Sequence, residues 1–187
     1  MEVVFKSCTK DSELQQILEL QQKNLITNLG PGEKEKEGFV TVSHTLELLT
    51  DMNTACPHIL AKDQDKVVGY ALCMHPRFGN YIEVLKPMFK EITSVVPKAE
   101  PYMVMGQICI DKEYRRQGIF RKLYDTMKNT LQPQFTSIIT EVDATNLRSL
   151  EAHYAVGFKD LKTYSAGGQD WKLIVLGQGY NLDKGEK

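Results

Sequence analysis

The stretch Ile108-Cys109-Ile110-Asp111-Lys112-Glu113-Tyr114-Arg115-Arg116-Gln117-Gly118-Ile119-Phe120-Arg121 leaves an apolar segment, crosses a polar turn and enters a periodic one. Tyr102 to Ile110 is nearly continuous in apolar residues, the pattern of a central strand covered on both sides. From Gly118 to Leu131 the residues Ile119, Leu123, Met127 and Leu131 recur at helical spacing, and Pro133 follows. The order is therefore strand, basic glycine-containing turn, helix. The first amides of a helix have no partner inside it, and its dipole adds partial positive charge there, so such a bend suits phosphate. Arg115, Arg116 and Arg121 add forked donors, and Gly118 lacks a Cβ where a phosphate would meet the backbone. A basic turn that is merely solvated is the competing reading of these residues.

Downstream, Ser137 to Asp143 reads as a strand, and Asn146 to Val156 as a helix with Asn146 as N-cap and Gly157 as its end. Asp170 to Leu176 reads as a last strand, and the Gly-rich polar tail from about residue 178 as flexible. Upstream, Glu2 to Ser7 reads as a first strand. Leu14, Ile17, Leu18, Leu25 and Leu29 mark a helix over Glu13 to Leu29, stopped by Gly30-Pro31. Gly32 to Gly38 is a charged loop, and Thr45 to Met52 a second helix with Ser43 as its cap. His58 to Ala61 and Val67 to Met74 are strands joined by the polar turn Lys62 to Lys66. Between Pro76 and Pro101 the residues Ile82, Leu85, Phe89 and Ile92 share a helical face, which Pro87 kinks or divides. The segment Arg77 to Ile92 reads as an acceptor lid, an extra core helix or a homodimer contact. The sum is an α/β chain with a mixed sheet.

With 187 residues, 42% hydrophobic and 25% charged, the chain suits one domain, residues 1–187, with a full core. A net charge of −1 supplies no overall field toward nucleic acid or a membrane. Met1 to Lys10 lacks the pattern of a signal peptide, and no apolar run reaches the length of a membrane span. Cys8, Cys56, Cys73 and Cys109 are scattered and read as reduced thiols of a cytoplasmic protein. His44, His58, His75 and His153 lack ligand spacing, so no metal site is expected. A nucleotide-binding α/β domain would carry Gly-x-Gly-x-x-Gly or Gly-x-x-x-x-Gly-Lys-Ser/Thr, and neither occurs.

Arg115-Arg116-Gln117-Gly118-Ile119-Phe120 resembles the Gln/Arg-x-x-Gly-x-Gly/Ala loop of the GNAT acetyltransferase superfamily, between its fourth strand and third helix. Phe120 stands where that pattern has a small residue, which implies a side chain turned into the core and an amide left for the ligand. A second match follows at the right distance. Asn146, Ser149, His153, Gly157 and Phe158 fit the pattern Asn-x-x-Ala/Ser-x-x-x-Tyr/His-x-x-x-Gly-Phe. The resemblance covers about Tyr102 to Leu176. It implies the GNAT-type fold, a mixed, mostly antiparallel sheet flanked by helices and splayed between the fourth and fifth strands. It also implies acetyl-CoA as co-substrate and direct acyl transfer to the amine of a small molecule or peptide.

By the same resemblance, backbone at Ile108, Cys109 and Ile110 would pair with the pantetheine arm and aim an amide at the thioester oxygen. Arg115, Arg116, Gln117, Gly118, Ile119, Phe120 and Arg121 would hold the pyrophosphate. Asn146 and Ser149 would lie along the pantetheine, or Asn146 would cap its helix and do nothing more. Glu141 falls where the ribosomal-protein alanine acetyltransferases carry a general base, with a structural or CoA-orienting acid as the other reading. His153 falls where many members have a Tyr that protonates the thiolate, with packing beside the CoA sulfur as its alternative. A non-catalytic acyl-CoA-binding or sensor module is the second functional class these residues allow.

Overall fold

The computed structural model describes residues 2–25, 27, 40 and 42–177. Their contacts divide into two compact units that share one strand. The first holds Met1–His75 and Met105–Leu131, the second Pro76–Val104 and Gln132–Lys187.

In the first unit the apolar spacing after Ser7 produces helix α1 (Asp11–Asn24), and the apolar runs give β1 (Val3–Ser7), β2 (Ile59–Asp63) and β3 (Lys66–Met74). The strands lie in the order β1-β2-β3-β4, where β4 is Tyr102–Ile110, and β1–β2 and β2–β3 pair antiparallel. From Val67 to Met74 every residue of β3 is buried. Neighbouring residues of a strand point to opposite faces, so both faces of β3 are covered. Helix α1 and helix α2 (Leu46–Ala55) pack on β3, and α4 (Ile119–Leu131) packs on β1, β2 and β3. The buried His58 joins two of these elements. Its Nε2–H donates to the Leu49 carbonyl at 3.2 Å, and its Nδ1 accepts the Cys73 amide at 3.1 Å.

The second unit takes α3 (Lys86–Val95), β5 (Ser137–Asp143), α5 (Leu147–Val156), β6 (Lys159–Ala166) and β7 (Gln169–Gly177). Its strands lie in the order β4-β5-β7-β6. Here β4 pairs parallel with β5 over Tyr102–Val104 and Ser137–Ile139, whereas β5–β7 and β6–β7 are antiparallel. The strands thus form the mixed, mostly antiparallel sheet with flanking helices that the resemblance implied. Pairing of β4 with β5 covers only those three residues of each strand, although β5 continues to Asp143.

Several boundaries differ from the sequence reading. Helix α1 ends at Asn24, because Leu25 turns extended and bridges to Val40, whose amide bonds the Asn24 carbonyl at 3.0 Å. Leu29, the Gly30-Pro31 stop, the charged loop at 32–38 and the tail from 178 lie outside the described residues. The cap of α2 is Thr45, which accepts the Leu48 amide, while Ser43 accepts a hydrogen bond from Gln22. The turn after β2 is tighter than Lys62 to Lys66, since β2 extends to Asp63 and Gln64 adopts φ 53°. Pro87 neither kinks nor divides a helix. Two short 3-10 turns, Pro76–Asn80 and Glu83–Leu85, precede α3, and Pro87 falls in its first turn, where no amide is needed. Strand β6 was not expected. Its residues are mostly polar and none is fully buried, so they lack an apolar signature. Gly167 and Gly168, at φ 61° and 78°, make the tight turn to β7.

Candidate functional site

The basic bend belongs to the first unit. At the end of β4, Ile108 and Ile110 are half-buried and Cys109 is buried. Burial raises the Cys109 thiol to about 12, which leaves it protonated and chemically quiet. Asp111 bonds β3 through its amide, 2.9 Å from the Val68 carbonyl, and caps the 3-10 turn Lys112–Tyr114. Tyr114 anchors that turn by donating to Asp63 at 2.7 Å. Arg115, expected at the phosphate, has its guanidinium engaged inside the unit. Its Nε donates to the Ile110 carbonyl at 3.0 Å and its Nη2 to Asn24 at 2.7 Å, which ties the bend to the end of α1. Asn24 is a partner that sequence spacing could not reveal, because it lies in a different element far along the chain.

After Arg115 the backbone reverses through left-handed residues, Arg116 at φ 64° and Gly118 at φ 76°. A non-glycine residue seldom adopts this conformation. The first bond of the α4 ladder runs from the Lys122 amide to the Gly118 carbonyl, so the Gly118 and Ile119 amides lie ahead of that ladder. A Cβ built on Gly118 would meet nothing within 4 Å. Arg116, Gln117, Gly118 and Arg121 are exposed, and Gln117 donates to the Glu113 carbonyl at 3.2 Å. Phe120 packs edge-on against Tyr124, with ring centres 5.2 Å apart. Its bulk is therefore turned along the helix, and the side of the bend at Gly118 stays open. These features fit an anionic pyrophosphate. A cavity of about 390 Å³ beside Asp111, Lys112 and Glu113 is lined on its other side by Leu20, Lys23, Asn24 and Lys66, and none of Arg116 to Arg121 reaches it.

The carboxylate and the second motif belong to the second unit. Glu141 is the one residue of β5 that is not fully buried. Burial raises its carboxyl to about 7, against a hydrogen bond from the Tyr164 phenol to Oε2 that lowers it. Tyr164 was missed because it stands on β6. The Gly167-Gly168 hairpin signal, with Tyr164 and Lys162 alternating against exposed Thr163 and Ser165, could have found it. At the end of β5, Asp143 accepts from the Thr145 amide and hydroxyl and from Gln169, so the turn into α5 is fixed.

Asn146 caps α5, accepting the Ser149 amide at 3.2 Å. His153 lies one turn beyond Ser149 and is buried against Phe158, with ring centres 5.0 Å apart at 84°. Its Nδ1 lies 2.7 Å from the Ser149 carbonyl, so that nitrogen carries the proton. Burial lowers its pKa to about 4, and at neutral pH Nε2 is left with a lone pair. Tyr154, the next residue, faces away and donates to Asp160 at 2.6 Å. Among the described residues, no cluster of three His, Cys, Asp or Glu side chains could hold a metal, and no helix is long and apolar enough to cross a membrane.

No curated protein matches this chain. Several solved structures share its fold at low identity. The NatC complex bound to Gag peptide and CoA gives a TM-score of 0.65 at 15% identity, covering 96% of this chain and 100% of that one. The ribosomal-protein-S18-alanine N-acetyltransferase from Escherichia coli gives 0.62 at 14% identity, covering 97% and 99%. An N-acetyltransferase from Staphylococcus aureus Mu50 gives 0.63 at 16% identity, covering 95% and 99%. At such identities the likeness concerns the fold. The model of the acetyltransferase (GNAT) family matches residues 15–158, which include the bend after β4, Glu141, Asn146 and His153. With that match over most of its length, the chain belongs to the acetyltransferase (GNAT) family.

Proposed function

We propose that the chain transfers an acetyl group from acetyl-CoA to the primary amine of a small molecule or peptide, by direct attack on the thioester. The observation that carries this reading is Glu141, a carboxylate that burial moves to about 7 in a chain of the GNAT family. A general base works best when its pKa lies near the working pH. A carboxyl raised into that range by burial can exchange a proton near neutral pH. A terminal α-amine, with a pKa of about 8, lies closer to that base than a lysine amine at about 10.4. We therefore favour an α-amine as acceptor. Two proteins of the same fold fit this choice, one named as bound to a peptide and one as an alanine N-acetyltransferase.

Bound acetyl-CoA supplies the activated acyl group and a thiolate leaving group. The Gly118 and Ile119 amides, with Arg116 and Arg121, hold its pyrophosphate. Backbone at Ile108, Cys109 and Ile110 would pair with the pantetheine and would direct an amide to the thioester oxygen, a contribution of roughly 3 kcal/mol to the transition state in comparable sites. Glu141 removes the amine proton. Asn146 and Ser149 would lie along the pantetheine by the family resemblance, and Asn146 also caps α5 through the Ser149 amide. For His153 the Nδ1–H bond to Ser149 favours packing over proton donation, because Nε2 has no proton to give.

The test is thiol release from acetyl-CoA by the purified chain with peptides bearing a free α-amine, the same peptides blocked at that amine but carrying lysine, and small amines. Turnover on free α-amines, about a hundredfold lower in Glu141→Gln, is expected. Tight CoA binding without turnover on any amine would favour the sensor reading, and full activity of Glu141→Gln would remove the base.

A further inference from the structure

We propose that Tyr164 is a positioning residue for Glu141: its phenol holds one carboxylate oxygen and leaves the other directed to the acceptor. The inference deepens the reading of Glu141 as base and rests on it.

Glu141 and Tyr164 come from strands that are not neighbours, since β7 lies between β5 and β6. The register nonetheless aligns them. Glu141 is opposite Leu173, Leu173 is opposite Lys162, and Tyr164 is opposite Trp171. Opposed residues share a face, so Glu141, Lys162 and Tyr164 lie on the same side. The phenol donates to Oε2, while Oε1 receives no hydrogen bond from a described residue. A carboxylate with donors on both oxygens would be held further toward its ionised form and would be a weaker base. One with neither held would rotate and would protonate too readily in its desolvated position.

The surrounding charges do not offer a substitute for the phenol. On β5, Asp143 is occupied by Thr145 and Gln169. On β6, Lys162 is paired at 2.5 Å with Glu91 of α3, the helix packed on that strand. On β7, Lys172 is paired with Asp160 and lies opposite Val142, on the other face from Glu141. Tyr164 is thus the group that favours ionised Glu141. Burial and the Glu141 charge raise the phenol's own pKa, so it remains a donor at working pH.

The experiment compares the wild-type chain, Tyr164→Phe and Glu141→Gln. With glutamate labelled with ¹³C at the carboxyl, the resonance absent from Glu141→Gln reports the Glu141 titration without any acceptor. Removing the phenol should raise that midpoint by about one pH unit. On whichever amine gives turnover, the acidic limb of the kcat/KM profile should move alkaline by the same amount, and the rate at pH 7 should fall about fivefold. An unmoved titration and profile in Tyr164→Phe, with Glu141→Gln inactive, overturns the positioning role and leaves the base intact. Wild-type turnover by Glu141→Gln overturns the base, and the positioning role falls with it. Should Tyr164→Phe fail to fold, Tyr164→His, which keeps a ring and a donor, must retain an unshifted acidic limb; a shift as large as a full loss of the donor would count against the proposal.

Discussion

Glu13 shows how one buried charge holds several elements together. Its carboxylate, 1% exposed, accepts from Lys6 of β1 at 2.7 Å, Lys62 of β2 at 3.1 Å and the Thr9 amide at 3.0 Å. Burial alone would raise its pKa, but these donors prevail and hold it at about 2. Replacing it with Gln keeps the volume, removes the charge and turns an amide donor toward two ammonium groups. Glu13→Gln should lower stability by about 2–3 kcal/mol in urea denaturation, and a loss below about 0.5 kcal/mol would show that the cluster contributes little. Glu141 uses the same chemistry with the opposite balance. It has a single donor against burial, so its carboxyl rises where that of Glu13 falls.

Among the elements, the bend into α4 separates stability from binding at one position. Gly118 has φ 76°, which favours glycine, yet a Cβ there faces open space. Gly118→Ala should cost about 1 kcal/mol of stability through backbone strain alone. It should weaken CoA binding more than tenfold in calorimetry, since the added methyl meets only what lies outside the protein. Equal affinity of the variant would mean that no pyrophosphate approaches this backbone. Much of this element was legible in the sequence. Helical spacing marked α4, Gly157 and Asn146 marked the ends of α5, and the two-residue glycine turn before β7 was present to be read. The β6 strand was not recognised, because an edge strand of polar residues carries no core pattern. Tyr164 was lost with it.

For the whole molecule, buried histidines set the response to acid. Burial lowers His44 to about 4, His58 to about 3 and His153 to about 4. Between pH 6.5 and 4 the unfolded chain gains three protons that the native state refuses, so stability falls as pH falls. Glu141 acts in the other direction between pH 7 and 4.5, where the native state keeps a proton that the unfolded state has released. Three groups outweigh one, and the net slope should approach roughly 2 kcal/mol per pH unit. Below pH 4.5 the loss of ionised Glu13 adds to the fall. Denaturant midpoints at pH 7, 6 and 5 test this, and stability that stays level or rises on acidification would contradict neutral histidines. The sequence by itself determined the strand-bend-helix around Gly118, the cap at Asn146 and the family, because these depend on local spacing and on residue types with special backbone geometry. Only the tertiary structure decided that Arg115 turns inward to Asn24 and that Tyr164 meets Glu141 across β7. Those pairings depend on strand register and burial, which residues distant along the chain create together.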